Sequence, residues 1–192
     1  TFVSSLVVGT SGRNPITFDN WNNSKILAYW KYDDATKPGK DSHSWLGRLN
    51  NIRTALQGQQ GDRRLRLGIA GGEWKKMMAD ATARTRFASE VKKIIEQYDF
   101  DGVDFDFEWP ANASEYNNYS ATVIQMRSTL GKYVYFTASL HPVSFKISPE
   151  AIDALDFISY QCYGPAVMRF PYEQFVKDGE AAVAYGIPKN KL

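Results

Sequence analysis

The sequence predicts an α/β fold, a parallel sheet whose strands are joined by crossover helices. Three observations carry that expectation. Short runs rich in β-branched and aromatic residues alternate with stretches of helical periodicity along most of the chain. One of those runs sets acids and hydrophobes in strict alternation, as a strand does. The composition is that of one ordinary folded domain: 192 residues, 43% hydrophobic, 23% charged, with no linker, charge block or low-complexity tract to divide it. Residues 1–192 are therefore expected to form a single domain.

The elements follow in order. Residues 2–8 (FVSSLVV) read as a first strand, closed by Gly9 and the polar run after it. Residues 25–32 (KILAYWKY) read as a second, bounded by Asn22-Asn23-Ser24 and Asp33-Asp34; the piece between the two is short for a helix. Leu46, Leu49, Ile52 and Leu56 have helical spacing, and residues 58–62 break it. Residues 65–70 form a third strand running into Gly71-Gly72. Residues 83–98 are an amphipathic helix with Phe87, Val91, Ile94, Ile95 and Tyr98 on one face. The acidic strand comes next. A helix over 115–130 follows, with Tyr119, Val123, Met126 and Leu130 on one side, Ser114 as its N-cap and Gly131 at its end. Residues 133–140 are a fifth strand, 152–154 a helical turn, 156–163 a sixth strand, and 172–185 a last helix closed by Gly186-Ile187-Pro188.

The stretch with chemistry in it is Phe100-Asp101-Gly102-Val103-Asp104-Phe105-Asp106-Phe107-Glu108-Trp109-Pro110. At period two, Asp104, Asp106 and Glu108 share one face and Val103, Phe105 and Phe107 the other. Alternate residues on a strand face lie about 6–7 Å apart. No lysine or arginine occurs in these eleven residues. A buried row of three carboxylates cannot stay fully ionised, so the set shares protons and one member becomes a candidate general acid. The competing reading is a half-buried strand with a solvated acidic face. Two points favour chemistry: helical patterns flank the strand, and the acids lie at its C-terminal end, where α/β barrels place their sites.

Composition narrows the function classes. A net charge of +2 gives no case for nucleic acid or an acidic membrane surface. No apolar run approaches ~20 residues, so no membrane span is expected. The single Cys162 leaves no internal disulfide framework or cysteine metal cluster. Aromatics are high at 14%, with 5 Trp and 11 Tyr, which suits sugar or planar-ligand sites as well as a core. His43 and His141 have no ligand-spaced partners and read as surface or loop residues.

The acidic stretch resembles the D-G-x-D-x-D-x-E signature of glycoside hydrolase family 18, matching it in full over residues 101–108. Phe100 and Trp109-Pro110 are similar to its flanks in chitinases. Residues 65–74 resemble the family's third strand, whose S-x-G-G motif Gly71 and Gly72 match, and residues 156–163 resemble its sixth. The similarity runs from about Lys25 to the end, with the first strand matching poorly.

The resemblance implies a (β/α)8 TIM-type barrel, of which about six βα units are present, with the site at the strands' C-terminal ends. It implies a retaining, substrate-assisted hydrolysis of β-1,4 links in N-acetylglucosamine-containing glycans, without metal or cofactor. Glu108 would be the acid and then the base. Asp106 would orient the substrate's acetamido N–H, Asp104 would share a proton with Asp106, and Tyr163 would hold the acetamido oxygen. Trp109, Gln161 and Tyr29 would contact the sugar. Such a substrate implies a secreted, periplasmic or cell-surface protein.

Some features depart from the family. Ile69 stands where S-x-G-G has serine, so a partner of the acid row is absent or comes from elsewhere. Gly164 stands where many chitinases have aspartate. Strands seven and eight, with the family's floor tryptophan, are not in this sequence, so the expectation is a fragment, a barrel completed by a second chain, or a reduced barrel, inactive by itself. Other readings are an endo-β-N-acetylglucosaminidase acting on N-glycan cores, a chitin-binding lectin on the same fold, and a metal-dependent enzyme using the acids as Mg²⁺ ligands.

Overall fold

The computed structural model describes residues 2–9, 15–21 and 24–30 as backbone, positions 54 and 57, and residues 64–70, 74–141, 145–161 and 171–192. Among the described residues seven strands form one sheet: β1 (Phe2–Gly9), β2 (Pro15–Trp21), β3 (Ser24–Trp30), β4 (Arg66–Ala70), β5 (Gly102–Phe105), β6 (Tyr135–Leu140) and β7 (Phe157–Tyr160). Their order is β2-β3-β1-β4-β5-β6-β7. From β1 through β4, β5, β6 and β7 each neighbouring pair is parallel. The helices are α1 (Trp74–Ala79), α2 (Ala81–Tyr98), α3 (Ala113–Leu130), α4 (Pro149–Ala154) and α5 (Pro171–Tyr185), followed by a 3₁₀ turn at Lys189–Lys191. This is the α/β fold the sequence predicts, part of a (β/α)8 barrel.

The beginning of the sheet differs from the expectation. Pro15–Trp21 is a strand that the sequence reading left unassigned, and it pairs antiparallel with β3. β3 in turn runs antiparallel to β1, not parallel to it. For the β2–β3 pair the reason is chain length. Two residues separate β2 from β3, enough for an antiparallel hairpin, whereas a parallel crossover needs a dozen or more. Of the helix expected around residues 46–56, only Thr54 lies among the described residues, and it is helical, as is Gln57 just beyond.

From β4 onward the periodicity translates directly. The apolar face of the sheet is Leu67, Ile69, Val103, Phe105, Phe136, Ala138 and Ile158, all buried. It packs on Phe87, Val91, Ile94 and Ile95 of α2 and on Tyr119, Val123 and Met126 of α3. An aromatic cluster sits under the acidic strand: Phe107 lies 5.6 Å from Trp74 and 5.9 Å from Tyr119 between ring centroids, and Phe105 lies 5.6 Å from Phe136. The Tyr119 hydroxyl is buried there without a hydrogen-bond partner. Burial, and then the nearby Asp104 and Asp106, push its ionisation well above the ordinary range.

The caps fix where the helices begin. Asp80 accepts from Ala83 N at the start of α2. At α3 the cap is Asn112, not Ser114: Asn112 Oδ1 accepts from Glu115 N at 3.0 Å, and Glu115 Oε2 accepts from Ala111 N at 2.8 Å. Both residue types cap well, but only Asn112 has a glutamate three positions on to reach back, as in a capping box. Gly102 opens β5 because nothing larger fits. A Cβ at this position would stand 2.0 Å from the Tyr135 carbonyl oxygen.

Candidate active site

The parallel register brings one polar row together. Gly68, Asp104 and Thr137 are aligned across β4, β5 and β6, and Ser139 is aligned with Ser159 across β6 and β7. The result is a cleft of about 310 Å³ lined by Arg66, Asp104, Asp106, Ser139, Ser159, Tyr160 and Gln161. It opens at the C-terminal ends of the strands.

The three acids differ in depth, and Asp104 and Asp106 line the cleft. Asp104 is buried at 4% exposure, Asp106 is half-buried and Glu108 is exposed. The regular ladder of β5 stops at Phe105, although Asp106 N still donates to Ile69 O at 2.8 Å. Val103, Phe105 and Phe107 point the other way into the core, as the alternation predicts.

Asp104 is held by three donors from flanking strands. Oδ1 accepts from the Thr137 hydroxyl and from Arg66 Nη1 at 3.2 Å; Oδ2 accepts from Ser139 Oγ at 2.9 Å. Arg66 also donates to Thr137 Oγ1. The acid row thus takes its partners from positions other than 69. Ile69 itself is fully buried and aligned with Phe105, so a side chain there faces the core and not the acids.

Asp106 and Glu108 are joined by one amide. Gln161 Nε2 donates to Asp106 Oδ1 at 2.8 Å and to Glu108 Oε1 at 2.9 Å. Gln161 Oε1 accepts from Trp109 Nε1 at 3.3 Å. The Trp109 ring, 43% exposed, packs on His141 with centroids 5.0 Å apart. The Glu108 carbonyl accepts from Trp74 Nε1 at 3.4 Å, and the Glu108–Trp109 peptide is cis. Among the described residues, no group of three His, Cys, Asp or Glu side chains is placed to hold a metal ion.

Residues 10–177 match the family model for glycosyl hydrolases family 18. The chain belongs to that family. Among its family 18 relatives is a class V chitinase of Arabidopsis thaliana, 25% identical over 124 residues, covering 54% of this chain and 33% of the relative. Chitinase B of Serratia marcescens is 33% identical over 66 residues, 34% of this chain and 13% of the relative. The fold is similar to that of the GH18 chitinase ChiB of Flavobacterium johnsoniae, with a TM-score of 0.62 at 22% identity over 75% of this chain and 52% of that one. It is also similar to a Nicotiana tobaccum class V chitinase solved in complex with NAG4, with a TM-score of 0.61 at 18% identity over 80% of this chain and 52% of that one. The chain thus spans about a third of the Arabidopsis relative and about half of these solved structures. The family match begins at residue 10, ahead of the Lys25 at which the motifs become recognisable.

Against this family 18 frame, the structure brings together five of the expected site residues: Asp104, Asp106, Glu108, Trp109 and Gln161. Tyr29 lies on β3 opposite Val7, but its side chain is outside the described residues, and Tyr163, like Cys162 and Gly164, falls outside them altogether. His141, expected as a surface or loop residue, lies just after β6, partly exposed, with its ring packed against Trp109. The sequence reading missed Arg66, Thr137, Ser139 and Ser159. Their signal was present: Thr137 with Ser139, and Ser159 with Gln161, are polar pairs at period two in otherwise apolar strands.

Proposed function

We propose that this chain carries the acid–base machinery of a retaining glycosidase that cleaves β-1,4 links next to N-acetylglucosamine. The single observation that carries this reading is the Asp106–Gln161–Glu108 bridge. It holds two carboxylates side by side at the mouth of a polar cleft, in a chain of family 18. A tobacco relative bound to NAG4 and a Cycas revoluta relative bound to (GlcNAc)3 support an N-acetylglucosamine oligosaccharide as the ligand class.

In this reading Glu108 gives its proton to the glycosidic oxygen as the C1–O bond breaks. The oxygen of the substrate's own 2-acetamido group attacks C1 from the opposite face, forming an oxazolinium ion. Asp106 accepts the acetamido N–H and offsets the positive charge that develops there. Glu108, now a carboxylate, takes a proton from the incoming water, whose oxygen opens the ring with net retention. Asp104 stands behind Asp106 and shares a proton with it, anchored by Arg66, Thr137 and Ser139. Tyr163 is assigned the acetamido oxygen on the motif alone. A polymeric glycan as substrate favours action outside the cytoplasm.

The test is hydrolysis of a fluorogenic chitobioside by the full-length protein beside its Glu108→Gln variant. The expected result is turnover in the first and a loss of about 10³-fold or more in the second with binding retained, since a general acid contributes at least 10²–10⁴. Binding without turnover in both would replace the enzyme with a lectin.

A further inference from the structure

We infer that Trp109 is a positioning residue: its indole N–H fixes the Gln161 amide so that both amide hydrogens are held against Asp106 and Glu108. The inference rests on the glycosidase reading of the same site. It assigns Trp109 a task other than stacking on a sugar.

A primary amide has one acceptor oxygen and two N–H donors. In Gln161 all are engaged: the oxygen by Trp109 Nε1 and the nitrogen by the two carboxylates. The side chain is 6% exposed, and its backbone N–H donates to Leu140 O at 3.0 Å, so little water competes and the main chain is pinned. The amide could sit in its slot in two orientations. The wrong one would set Oε1 beside two carboxylate oxygens and forfeit two charge-assisted hydrogen bonds. It would also set an NH₂ against the indole N–H, which can only donate. Trp109 therefore admits one orientation. It is itself held by His141 on its ring and by its place beside Glu108, whose carbonyl Trp74 holds.

The consequence is placement of the acid proton. Glu108 Oε1 is occupied as an acceptor, so in the protonated acid the O–H lies on Oε2. Trp109 acts on that proton only through Gln161.

The test uses Trp109→Phe, which keeps an aromatic ring and removes only the donor, with Gln161→Leu and the double variant, each assayed on a fluorogenic chitobioside. The expected result for Trp109→Phe is a fall in kcat of about tenfold with KM changed by less than about twofold, the size of one hydrogen bond to a charged cluster. The double variant should be no worse than Gln161→Leu, because residues acting as a unit are not additive. A raised KM with kcat retained, or additive losses, overturns the inference in favour of sugar stacking. A second readout is free of activity. The Gln161 side-chain ¹⁵N–¹H signals, identified by their loss in Gln161→Leu, should shift and lose exchange protection in Trp109→Phe; unchanged signals overturn the inference. An inactive wild type with this NMR result intact would overturn the glycosidase reading alone.

Discussion

Arg66 on β4 reaches across to Asp104 on β5, with Nη1 3.2 Å from Oδ1, so the cation absent from the acidic stretch itself comes from the neighbouring strand. The two side chains are 22% and 5% exposed, which makes this an ion pair at the floor of the cleft and not a surface one. Removing the arginine leaves a buried carboxylate with two hydroxyl donors. Arg66→Met should lower stability by about 1.5–3 kcal/mol, the range for a hydrogen bond to a charged group. Arg66→Lys should recover much of it, because both contacts come from one nitrogen, Nη1, and an ammonium can also donate to two acceptors. Urea denaturation of the three proteins measures this; an unchanged midpoint in Arg66→Met would refute it.

Two glycines should respond to the same substitution with opposite signs. At Gly102 an added methyl meets the Tyr135 carbonyl, which is backbone and cannot swing aside. Gly102→Ala should cost at least about 2 kcal/mol, or separate β5 from β6 and abolish folding. At Gly179, within α5, a Cβ meets nothing within 4 Å. Gly179→Ala should stabilise by about 0.5–1 kcal/mol through helix propensity. Thermal melts of both variants decide the matter.

Glu115 is the reciprocal half of the α3 cap and also pairs with Lys75 of α1 at 2.7 Å. The Lys75 hydrogen bond first, and the Ala111 N–H next, hold its carboxyl below the usual range. A lowered folded-state pKa means that the stabilisation is complete above the unfolded value of 4.5 and is lost as pH falls through the folded one. Glu115→Gln should therefore be less stable than the wild type at pH 7, by about 0.5–1 kcal/mol given its partial exposure. The gap should narrow progressively as pH falls below 4.5. Denaturation midpoints for both proteins across pH 3–7 give the comparison, and a gap independent of pH would contradict it.

The proposed chemistry uses the substrate's acetamido group as nucleophile and a carboxyl group as acid. Treatment with EDTA followed by desalting should accordingly leave chitobioside hydrolysis unchanged within about 10%, because no step needs a Lewis acid. Loss of activity that Mg²⁺ restores would revive the acids as metal ligands.

The middle of the chain was legible because its residues obey one period at a time. Val103, Phe105 and Phe107 announce a covered strand, and Phe87, Val91 and Ile94 the helix that covers it. The hairpin was not read, although Ile16 and Phe18 alternate with Thr17 and Asp19 and only Asn22-Asn23 separates them from β3. The N-cap was misplaced by two residues because Asn112 and Ser114 both qualify, and the deciding contact, Glu115 to the Ala111 N–H, is a matter of geometry. The site was half legible. Three acids on one strand are a local pattern, but Arg66 and Gln161 reach them from positions 38 and 53–55 residues away, where separation in sequence carries no distance.

In the proposed chemistry, the stepwise depth of Asp104, Asp106 and Glu108 also bears on how the acid would be reset between turnovers. Asp104 and Thr137 are buried and Arg66 and Ser139 beside them only partly exposed, whereas Glu108 is exposed. Protons can therefore exchange between Glu108 and solvent directly, without passing along the row. In that chemistry the inner acid need not relay the proton, and buffer in the surrounding medium would reload the outer one after product leaves.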